Sequence, residues 1–324
     1  MGVCAVVTRI FAIATDGAAC YLYRLHYPLN KLDPSRFEVH WSPPPPDPSL
    51  GDVVIGQRIA GKNTAWEEMC ANPNLLAVYD LDDNLLEVDP SNSLPYSIYA
   101  PIAADTANNI RLANVVTVST PKLAARMREL NPNVVVLPNC LPADWIASVR
   151  HQQGDEVIVG WAGSMFHQQD WPGVGQQLAI YAAHEPRARF HCIGANYMAP
   201  HVRARYTGWD IMENYWKAMD FSIGIAPLVD TPFNQCKSGI KVKEYFAQGV
   251  PAIASDIGEY ADIIDHGVNG FLVREPDDWP KYLHALTDDT LREQMSNAAM
   301  LKALEFTIDK HVSKWEAVYE GSWQ

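Results

Sequence analysis

The chain consists of short, uninterrupted apolar runs separated by longer stretches with helical spacing of the apolar residues. Continuous apolar runs are typical of parallel strands that are covered on both faces, whereas half-exposed strands alternate. The runs form two series and predict strands at Cys4–Ile13, Phe37–Trp41, Asp52–Ile55, Leu75–Asp80, Val115–Ser119 and Val134–Leu137, then at Val157–Ala162, Arg189–Ile193, Phe221–Ala226 and Pro251–Ser255. Strands interleaved with helices form right-handed βαβ units, so the pattern predicts an α/β protein.

The two series of strands also predict two domains. A chain of 324 residues exceeds the usual size of one hydrophobic core. The segment Leu141–Glu156 lies between the two series and is the expected connection. Near the end, Ile308, Val312, Trp315 and Tyr319 have the spacing of an amphipathic helix. We therefore expect an N-terminal domain over 1–145, a C-terminal domain over 146–305 and a terminal helix over 306–324 that packs back on the N-terminal domain.

Composition and charge narrow the class of protein. With 48% hydrophobic and 19% charged residues, the chain is an ordinary globular protein. A net charge of −13 argues against an extended nucleic-acid surface, although it leaves a local basic cleft open. The six cysteines show no metal-ligand spacing and no disulfide framework. No apolar run reaches the roughly 18 residues that span a bilayer, and Arg9 interrupts the first run, so we expect a cytoplasmic protein.

The strand Val157–Ala162 leads into a segment suited to anion binding. It ends in Gly163 and Ser164, and a helix is expected soon afterwards. Ligands of open α/β sheets bind beyond the carboxyl ends of the strands, and small residues let a diphosphate approach the backbone amides. His167 would add a hydrogen bond to an oxygen of such a ligand. By itself, the segment is a weak signal for a binding site, and the alternative is an ordinary turn with a solvated histidine.

A second segment, from Phe221 to Pro251, places a cation and a carboxylate on one helix. Lys237 is near the predicted helix start, where an ammonium and backbone amides converge on a phosphate. Glu244 follows seven residues later, about two turns on, so both side chains project from one face. A cation for phosphates and a carboxylate for ribose hydroxyls suit a nucleotide-sugar. The alternative is that Lys237, Lys241 and Glu244 form a solvated charged face.

The N-terminal half contributes a cluster of carboxylates at the end of a strand. Asp80, Asp82 and Asp83 repel one another unless they meet cations or hydroxyls, so we expect them to face the interdomain cleft. There they would orient an acceptor hydroxyl or accept its proton, with Asp82 as the candidate catalytic residue. Arg24 is expected to face the same cleft from the first helix. A divalent metal site and helix capping are the alternatives.

The longer segment APLVDTPFNQCKSGIKVKEYFAQGVPAIASDIGEYADIIDHGVNGFLV resembles the donor-site signature of retaining GT-B glycosyltransferases of the family 4, or group 1, type found in bacteria and phages. The loop GWAGSMFHQQDW resembles the phosphate loop of that group, and YDLDDNL, VVTVSTPKLAARM and NPNVVVLPN resemble its N-terminal blocks. The resemblance implies two Rossmann-like domains facing each other across a cleft. It also implies a nucleotide-sugar donor bound by the C-terminal domain, and no metal cofactor.

The resemblance also implies roles for individual residues. The family pairs two glutamates eight positions apart, and Glu244 matches the second, which binds the donor ribose. The first falls on Cys236, which is not acidic. A closer subgroup has an Asn-x-x-Lys-Ser segment whose backbone amides hold the sugar and diphosphate, and Asn234, Lys237 and Ser238 fit it. Base recognition falls on 205–210, where Trp209 or Tyr206 would pack against the base.

The function implied is transfer of a hexose-type sugar from a nucleoside-diphosphate sugar to an acceptor hydroxyl, with retention and without metal. The departing phosphate would itself help to deprotonate the acceptor. The acceptor is left open among a glycan, a protein, a lipid and a modified nucleobase. Two alternatives stay open: a sugar-nucleotide epimerase, and a non-catalytic nucleotide-sugar-binding or scaffold protein, which Cys236 favours.

Overall fold

The computed structural model of the chain describes residues 7–14, 19–146, 155–209 and 215–323. Within these ranges, two six-stranded sheets are built from parallel strands only. The first sheet contains β1 (Thr8–Ile13), β2 (Phe37–His40), β3 (Asp52–Gln57), β4 (Leu75–Leu81), β5 (Val115–Val118) and β6 (Val134–Val136). The second contains β7 (Val157–Gly163), β8 (Ala188–Gly194), β9 (Ala204–Thr207), β10 (Ile223–Ala226), β11 (Ala252–Ser255) and β12 (Gly270–Val273).

The strand order of each sheet fixes where a ligand is expected. The first sheet runs β2-β1-β3-β4-β5-β6, and the second, read from its other edge, runs β9-β8-β7-β10-β11-β12. The order therefore reverses between β1 and β3 in one sheet and between β7 and β10 in the other. Doubly wound sheets bind ligands in the crevice at such reversals, outside the carboxyl ends of the strands. The predicted α/β fold with two Rossmann-like sheets is confirmed.

Helices connect the strands and cover the sheets. They are α1 (Ala19–Tyr21), α2 (Tyr27–Leu29), α3 (Thr64–Ala71), α4 (Ser93–Tyr99), α5 (Ala103–Leu112), α6 (Pro121–Met127), α7 (Val174–His184), α8 (Pro232–Gln235), α9 (Ile240–Ala247), α10 (Tyr260–Ile263), α11 (Asp278–Ala285), α12 (Asp289–Ala303) and α13 (Ile308–Tyr319). A π-helical turn, Leu22–His26, joins α1 to α2, and 3₁₀ turns occupy Ala100–Ile102, Ala143–Trp145, Met165–Asp170, Tyr215–Ala218 and Leu304–Phe306. None of the helices in the described ranges has the length and apolar character needed to cross a membrane.

Two strands of the second sheet were not predicted. β9 lies at the sheet edge, where Arg205 and Tyr206 are exposed, so it lacks the apolar run of a covered strand. β12 lies at the opposite edge and is only four residues long. The first predicted strand, Cys4–Ile13, is described only from Val7 onwards and is a strand from Thr8. Apolar runs thus identified all six strands of the first sheet and the four central strands of the second, and missed the two edge strands of the second sheet.

The terminal helix α13 packs on the first sheet. Its Trp315 and Val318 are buried in one core cluster with Ile10 and Val53. Around it, Arg36 forms ion pairs with Glu316 and Glu320. The prediction that a C-terminal amphipathic helix returns to the N-terminal half is therefore confirmed.

The chain passes between its two halves at two adjacent points. The Leu141 amide donates to the Phe306 carbonyl at 2.9 Å, and the Ile308 amide donates to the Leu141 carbonyl at 3.0 Å. The predicted connection Leu141–Glu156 lies partly outside the described residues, since 147–154 are not described. The exact domain limits stay a prediction.

The two halves contact each other beside the cleft. Phe233 and Cys236 of the second half are buried in a core cluster with residues of the first half, among them Leu123. The Thr120 hydroxyl donates to the Cys236 carbonyl at 2.9 Å, and Lys243 Nζ donates to the Asn139 carbonyl at 3.1 Å. These contacts hold the carboxyl ends of the two sheets against each other.

Candidate functional site

A cavity of about 400 Å³ lies between the two sheets. Its walls come from segments that follow strand ends: Arg58 after β3, Asp82 and Asp83 after β4, and Gly163 and Ser164 at the end of β7. The rest of the wall comes from α1 and the π-helical turn, from Trp209 and Tyr215 after β9, from the segment between α8 and α9 with α9 itself, and from Tyr260 of α10. The cavity therefore occupies the crevice that the strand order marks in both sheets.

Nine of the twelve site residues predicted from the sequence line this cavity. The structure brings together Asp82, Asp83, Gly163, Ser164, His167, Trp209, Lys237, Ser238 and Glu244. Arg24, Asp80 and Asn234 lie elsewhere and are treated below.

Gly163 is required by close packing at the end of β7. A Cβ added to Gly163 would lie 2.5 Å from the Trp161 ring and 2.8 Å from Lys241 Nζ. The next residue, Ser164, accepts a hydrogen bond from the Phe166 amide at 3.4 Å and caps the Met165–Asp170 turn. The glycine is therefore explained by its packing against Trp161 and Lys241, at a strand end that lines the cavity.

His167 is a neutral hydrogen-bonding group in the cavity wall. Its Nδ1 lies 2.8 Å from Asp170 Oδ2. Burial lowers the pKa of His167 to about 4, with Lys241 and Lys237 adding repulsion. Since a carboxylate accepts at Nδ1, we assign the proton to Nδ1, which leaves Nε2 as an acceptor. A hydroxyl group of a ligand is the partner that this nitrogen suits.

The two lysines near α9 do not form a solvated face. Lys237 is largely buried, with Nζ 3.5 Å from Asp83 Oδ1 and 4.6 Å from the centre of the Phe233 ring. Lys241 is buried, and its Nζ donates to the Ala162 carbonyl. Burial lowers the pKa of Lys241 to about 8, so it is mostly charged at neutral pH. Two cations therefore line the cavity, Lys241 from α9 and Lys237 from the segment just before it. The prediction that Lys237 and Glu244 project from one helical face is wrong, because α9 begins only at Ile240.

Glu244 is held by two tyrosines, one from each half of the molecule. The hydroxyls of Tyr23 and Tyr215 both donate to Glu244 Oε1. Burial raises the pKa of Glu244, while the two tyrosine hydrogen bonds and Lys241 act in the opposite direction. The carboxylate is thus oriented before any ligand arrives.

Trp209 supplies an aromatic surface to the same cavity. Its ring stacks on Tyr215, with centroids 4.7 Å apart and planes inclined by 26°. Tyr206, the other base-binding candidate, is 55% exposed on β9 and does not line the cavity. Of the two aromatic candidates, only Trp209 is therefore placed to meet a base in this cavity.

The carboxylates of the first half are already paired with a cation. Arg58 Nε lies 2.5 Å from Asp82 Oδ1, and Arg58 NH2 lies 2.8 Å from Asp83 Oδ2. The Arg58 guanidinium lowers the pKa of Asp82 against the opposing effect of burial. Arg58 itself has a positive φ of 49°, an uncommon conformation for a residue with a side chain. An ion-paired carboxylate of lowered pKa is a weak base, so the geometry does not favour Asp82 as the proton acceptor.

The expectation that Arg24 and Asp80 face the cleft is wrong. Arg24 is fully buried, and its Nε and NH2 lie 3.1 and 2.7 Å from the two Asp80 oxygens. Its NH1 donates to the Leu137 carbonyl and to Asn139 Oδ1. Thr117 donates to Asp80 Oδ2 at 2.7 Å. The pair is a structural ion pair inside the first half, because burial favours a full set of partners for each charge.

Asn234 is also displaced from its predicted place. It is fully buried and donates to Asp170 Oδ1 at 2.8 Å and to the Val229 carbonyl at 3.0 Å. Asp170 Oδ1 also accepts from the Val229 amide. Asn234 therefore ties the loop after β10 to the turn that carries His167, and it supports the cavity without lining it.

Sequence reasoning missed several residues of the site. Tyr23 and Tyr215 lie in turns without a motif, and Arg58 follows a strand with no acidic neighbour in sequence. Glu259 accepts from the Gly239 amide at 2.6 Å and pairs with Lys243 at the base of α9. Lys241 was considered only as part of a solvated face, although it lies three residues before Glu244 on α9.

The second half of the chain matches the sequence model of a known family. Residues 156–289 match the sequence model of the family described as Glycosyl transferases group 1. A D-inositol 3-phosphate glycosyltransferase of Jonesia denitrificans is 34% identical over 99 residues, which is 30% of this chain and 23% of that protein. The chain therefore spans about a quarter of that relative, and the resemblance seen in the motifs is confirmed for the second half.

Solved structures share the fold over nearly the whole chain. Sucrose-phosphate synthase from Thermosynechococcus elongatus has a TM-score of 0.66 at 13% identity, covering 97% of this chain and 98% of its own. HepE from Anabaena, in complex with UDP and glucose, has a TM-score of 0.65 at 16% identity, covering 97% and 99%. S. aureus TarM has a TM-score of 0.63 at 16% identity, covering 83% of this chain and 54% of its own. The architecture of the chain is therefore the two-domain GT-B fold.

Proposed function

We propose that this chain transfers a sugar from a nucleoside-diphosphate sugar to an acceptor hydroxyl. The observation that carries the proposal is the cavity itself, in which two lysines, a preoriented glutamate and a tryptophan converge at the strand reversal of the second sheet. The matched family, and the UDP and glucose bound by HepE, support this choice of donor.

The donor is proposed to bind along the second half. Lys237 and Lys241 face the diphosphate, since cations close to phosphates form charge-assisted hydrogen bonds. Glu244 accepts hydrogen bonds from the ribose hydroxyls, and Trp209 packs against the base. His167 Nε2 accepts a hydrogen bond from a hydroxyl of the sugar. Asn234 acts indirectly, by holding the His167 turn against the loop after β10.

The chemistry follows from the charges in the cavity. As the sugar–phosphate bond breaks, negative charge grows on the leaving diphosphate, and Lys237 and Lys241 stabilise that charge in a largely buried site. The Asp82 and Asp83 carboxylates already have Arg58 as their partner, which supports a reaction without a metal ion. The departing phosphate takes the acceptor proton, since the paired Asp82 is a weak base. We also propose that the anomeric configuration is retained, because the sequence motifs resemble those of a retaining family.

Nucleotide binding provides the test. Thermal unfolding is measured with a panel of nucleoside diphosphates and their sugars, with and without EDTA, on the native chain and on Lys237→Ala and Glu244→Gln. A ligand at about 100 times its dissociation constant stabilises a protein by about 2.7 kcal/mol. We expect one base class to stabilise the native chain independently of metal, and both variants to lose most of that effect. Lys281→Ala, which removes a surface lysine away from the cavity, is the matched control.

Other outcomes separate the alternatives. A protein that no nucleotide stabilises, or whose two variants respond like the native chain, is not a nucleotide-sugar enzyme with this site. Product analysis with a bound donor then distinguishes transfer from epimerisation, because an epimerase converts the donor without any acceptor. Binding without turnover across glycan, lipid, protein and nucleobase acceptors would favour the scaffold alternative.

A further inference from the structure

The contacts of Glu244 are unequal between its two oxygens. Both tyrosine hydroxyls bond Oε1, and the hydroxyls themselves are 3.1 Å apart. Oε2 forms no hydrogen bond with the described part of the chain, and it retains some exposure to solvent. Glu244 lines the cavity. One oxygen is therefore fixed by the protein, and the other is available to a ligand.

The two tyrosines come from different halves of the molecule. Tyr215 follows β9 in the second half and is braced by its stack on Trp209. Tyr23 lies in the π-helical turn Leu22–His26 of the first half and is 3% exposed. Single π-helical turns are frequent at functional sites. The orientation of Glu244 thus depends on a side chain from across the cleft.

We propose that Tyr23 and Tyr215 are positioning residues that fix Glu244 Oε1 so that Oε2 accepts the vicinal hydroxyls of a nucleoside diphosphate, with Tyr23 making this site complete only when the two halves are in contact. The inference rests on the proposed function, because it assumes that Glu244 meets the donor ribose. Fixing a side chain before binding raises affinity by reducing the ordering that binding must impose.

The experiment measures nucleoside-diphosphate affinity by calorimetry for the native chain, Tyr23→Phe and Tyr215→Phe. Phenylalanine keeps each ring in place and removes only the hydroxyl, so the stack on Trp209 is retained. Loss of one hydrogen bond to a carboxylate is expected to weaken binding about tenfold. Tyr27→Phe is the matched control, since Tyr27 packs edge-on against Tyr23 without a hydrogen bond to Glu244.

A pH profile separates positioning from a general structural effect. The titratable groups that face Glu244 are Lys241, Tyr23, Tyr215, Tyr27, Tyr245 and Tyr260. The tyrosine hydrogen bonds lower the pKa of Glu244, so removing one raises it. The ionised carboxylate is the stronger acceptor, so binding weakens as the pH falls and Glu244 becomes protonated. In either variant this loss should begin at a higher pH than in the native chain. The nucleotide's own titration is common to all variants and cancels in the comparison.

The outcomes distinguish this inference from the proposed function. If the native chain binds no nucleotide, the proposed function fails. If the native chain binds and the two variants match Tyr27→Phe in affinity and in pH profile, the positioning inference is overturned while the proposed function stands. Tighter binding by the variants also overturns it, because the tyrosines would then compete with the ligand for Glu244.

Discussion

Asp80→Asn tests whether the Arg24–Asp80 pair is structural. The substitution keeps the shape of the side chain and removes its charge. In the native chain, Arg24 Nε and NH2 donate to the two Asp80 oxygens, and Thr117 adds a third hydrogen bond to Asp80. In the variant, the fully buried guanidinium keeps only neutral acceptors, among them Leu137 and Asn139. Removing one partner of a buried ion pair costs about 3–5 kcal/mol, which is the expected loss in the free energy of unfolding.

Urea unfolding, followed by circular dichroism and by tryptophan fluorescence, measures this loss. The two curves must coincide before a single free energy is taken from a molecule with two halves. Asp309→Asn is the matched control, because its partner Lys31 is about half exposed and such pairs contribute about 1 kcal/mol or less. In Arg24→Met/Asp80→Asn, the loss should be smaller than the sum of the two single losses, since neither charge is then left alone. If Asp80→Asn loses less than about 1 kcal/mol of stability but also loses catalysis, the pair has a role in catalysis and the structural assignment is refuted.

Three further substitutions test the site. Gly194→Ala places a Cβ 2.3 Å from the Gly163 carbonyl and 2.4 Å from the Trp209 ring, at a φ of 95°. We therefore expect its free energy of unfolding in urea to fall by about 1–3 kcal/mol. Gly208→Ala is the control and should be nearly neutral, because a Cβ there meets open space. His167 has a pKa of about 4 in the folded chain and 6.5 in the unfolded chain. Between these values only the unfolded chain binds the proton, so about 3 kcal/mol of stability is lost as the pH falls from 6.5 to 4. His167→Gln should abolish this part of the pH dependence of stability, and an unchanged profile would contradict the assignment. Cys236→Glu restores the acidic residue of the family at a buried position that is near Arg126 but also near Glu87 and Asp83. Because burial of the new carboxylate outweighs the one nearby cation, unfolding measurements should show a loss of about 2 kcal/mol or more, and a gain in stability or turnover would refute this.

The sequence was sufficient for the architecture because the central strands are covered on both faces. β3, for example, is buried along its whole length, and its apolar character survives in the sequence as an uninterrupted run. The edge strand β9 is largely uncovered and has no apolar run. β12 is mostly buried, and it was missed although its sequence, Gly270–Val273, is apolar. The spacing of Trp315 and Tyr319 revealed the terminal helix for the same physical reason, since one of its faces is buried.

The site was only partly readable. Residues close together on one segment stay close in the fold. Lys241 and Glu244 lie one turn apart on α9, Lys237 just precedes that helix, and the cavity contains all three. Contacts between distant segments have no such signature. Arg24 is 56 residues from its partner Asp80, and Tyr23 is 221 residues from Glu244. The charged residues assigned to the cleft from the first half were therefore the ones whose partners could not be foreseen.

The adjacent crossings at Leu141 and Phe306–Ile308 have an evolutionary consequence. Because the second half leaves and re-enters the first half at neighbouring backbone positions, it is topologically an insertion whose two ends nearly touch. Such a unit can be exchanged as a cassette without moving the scaffold that receives it, since the scaffold needs only two adjacent attachment points. Recombination at this one place would join a different second half, with a different specificity, to the same first half and its α13.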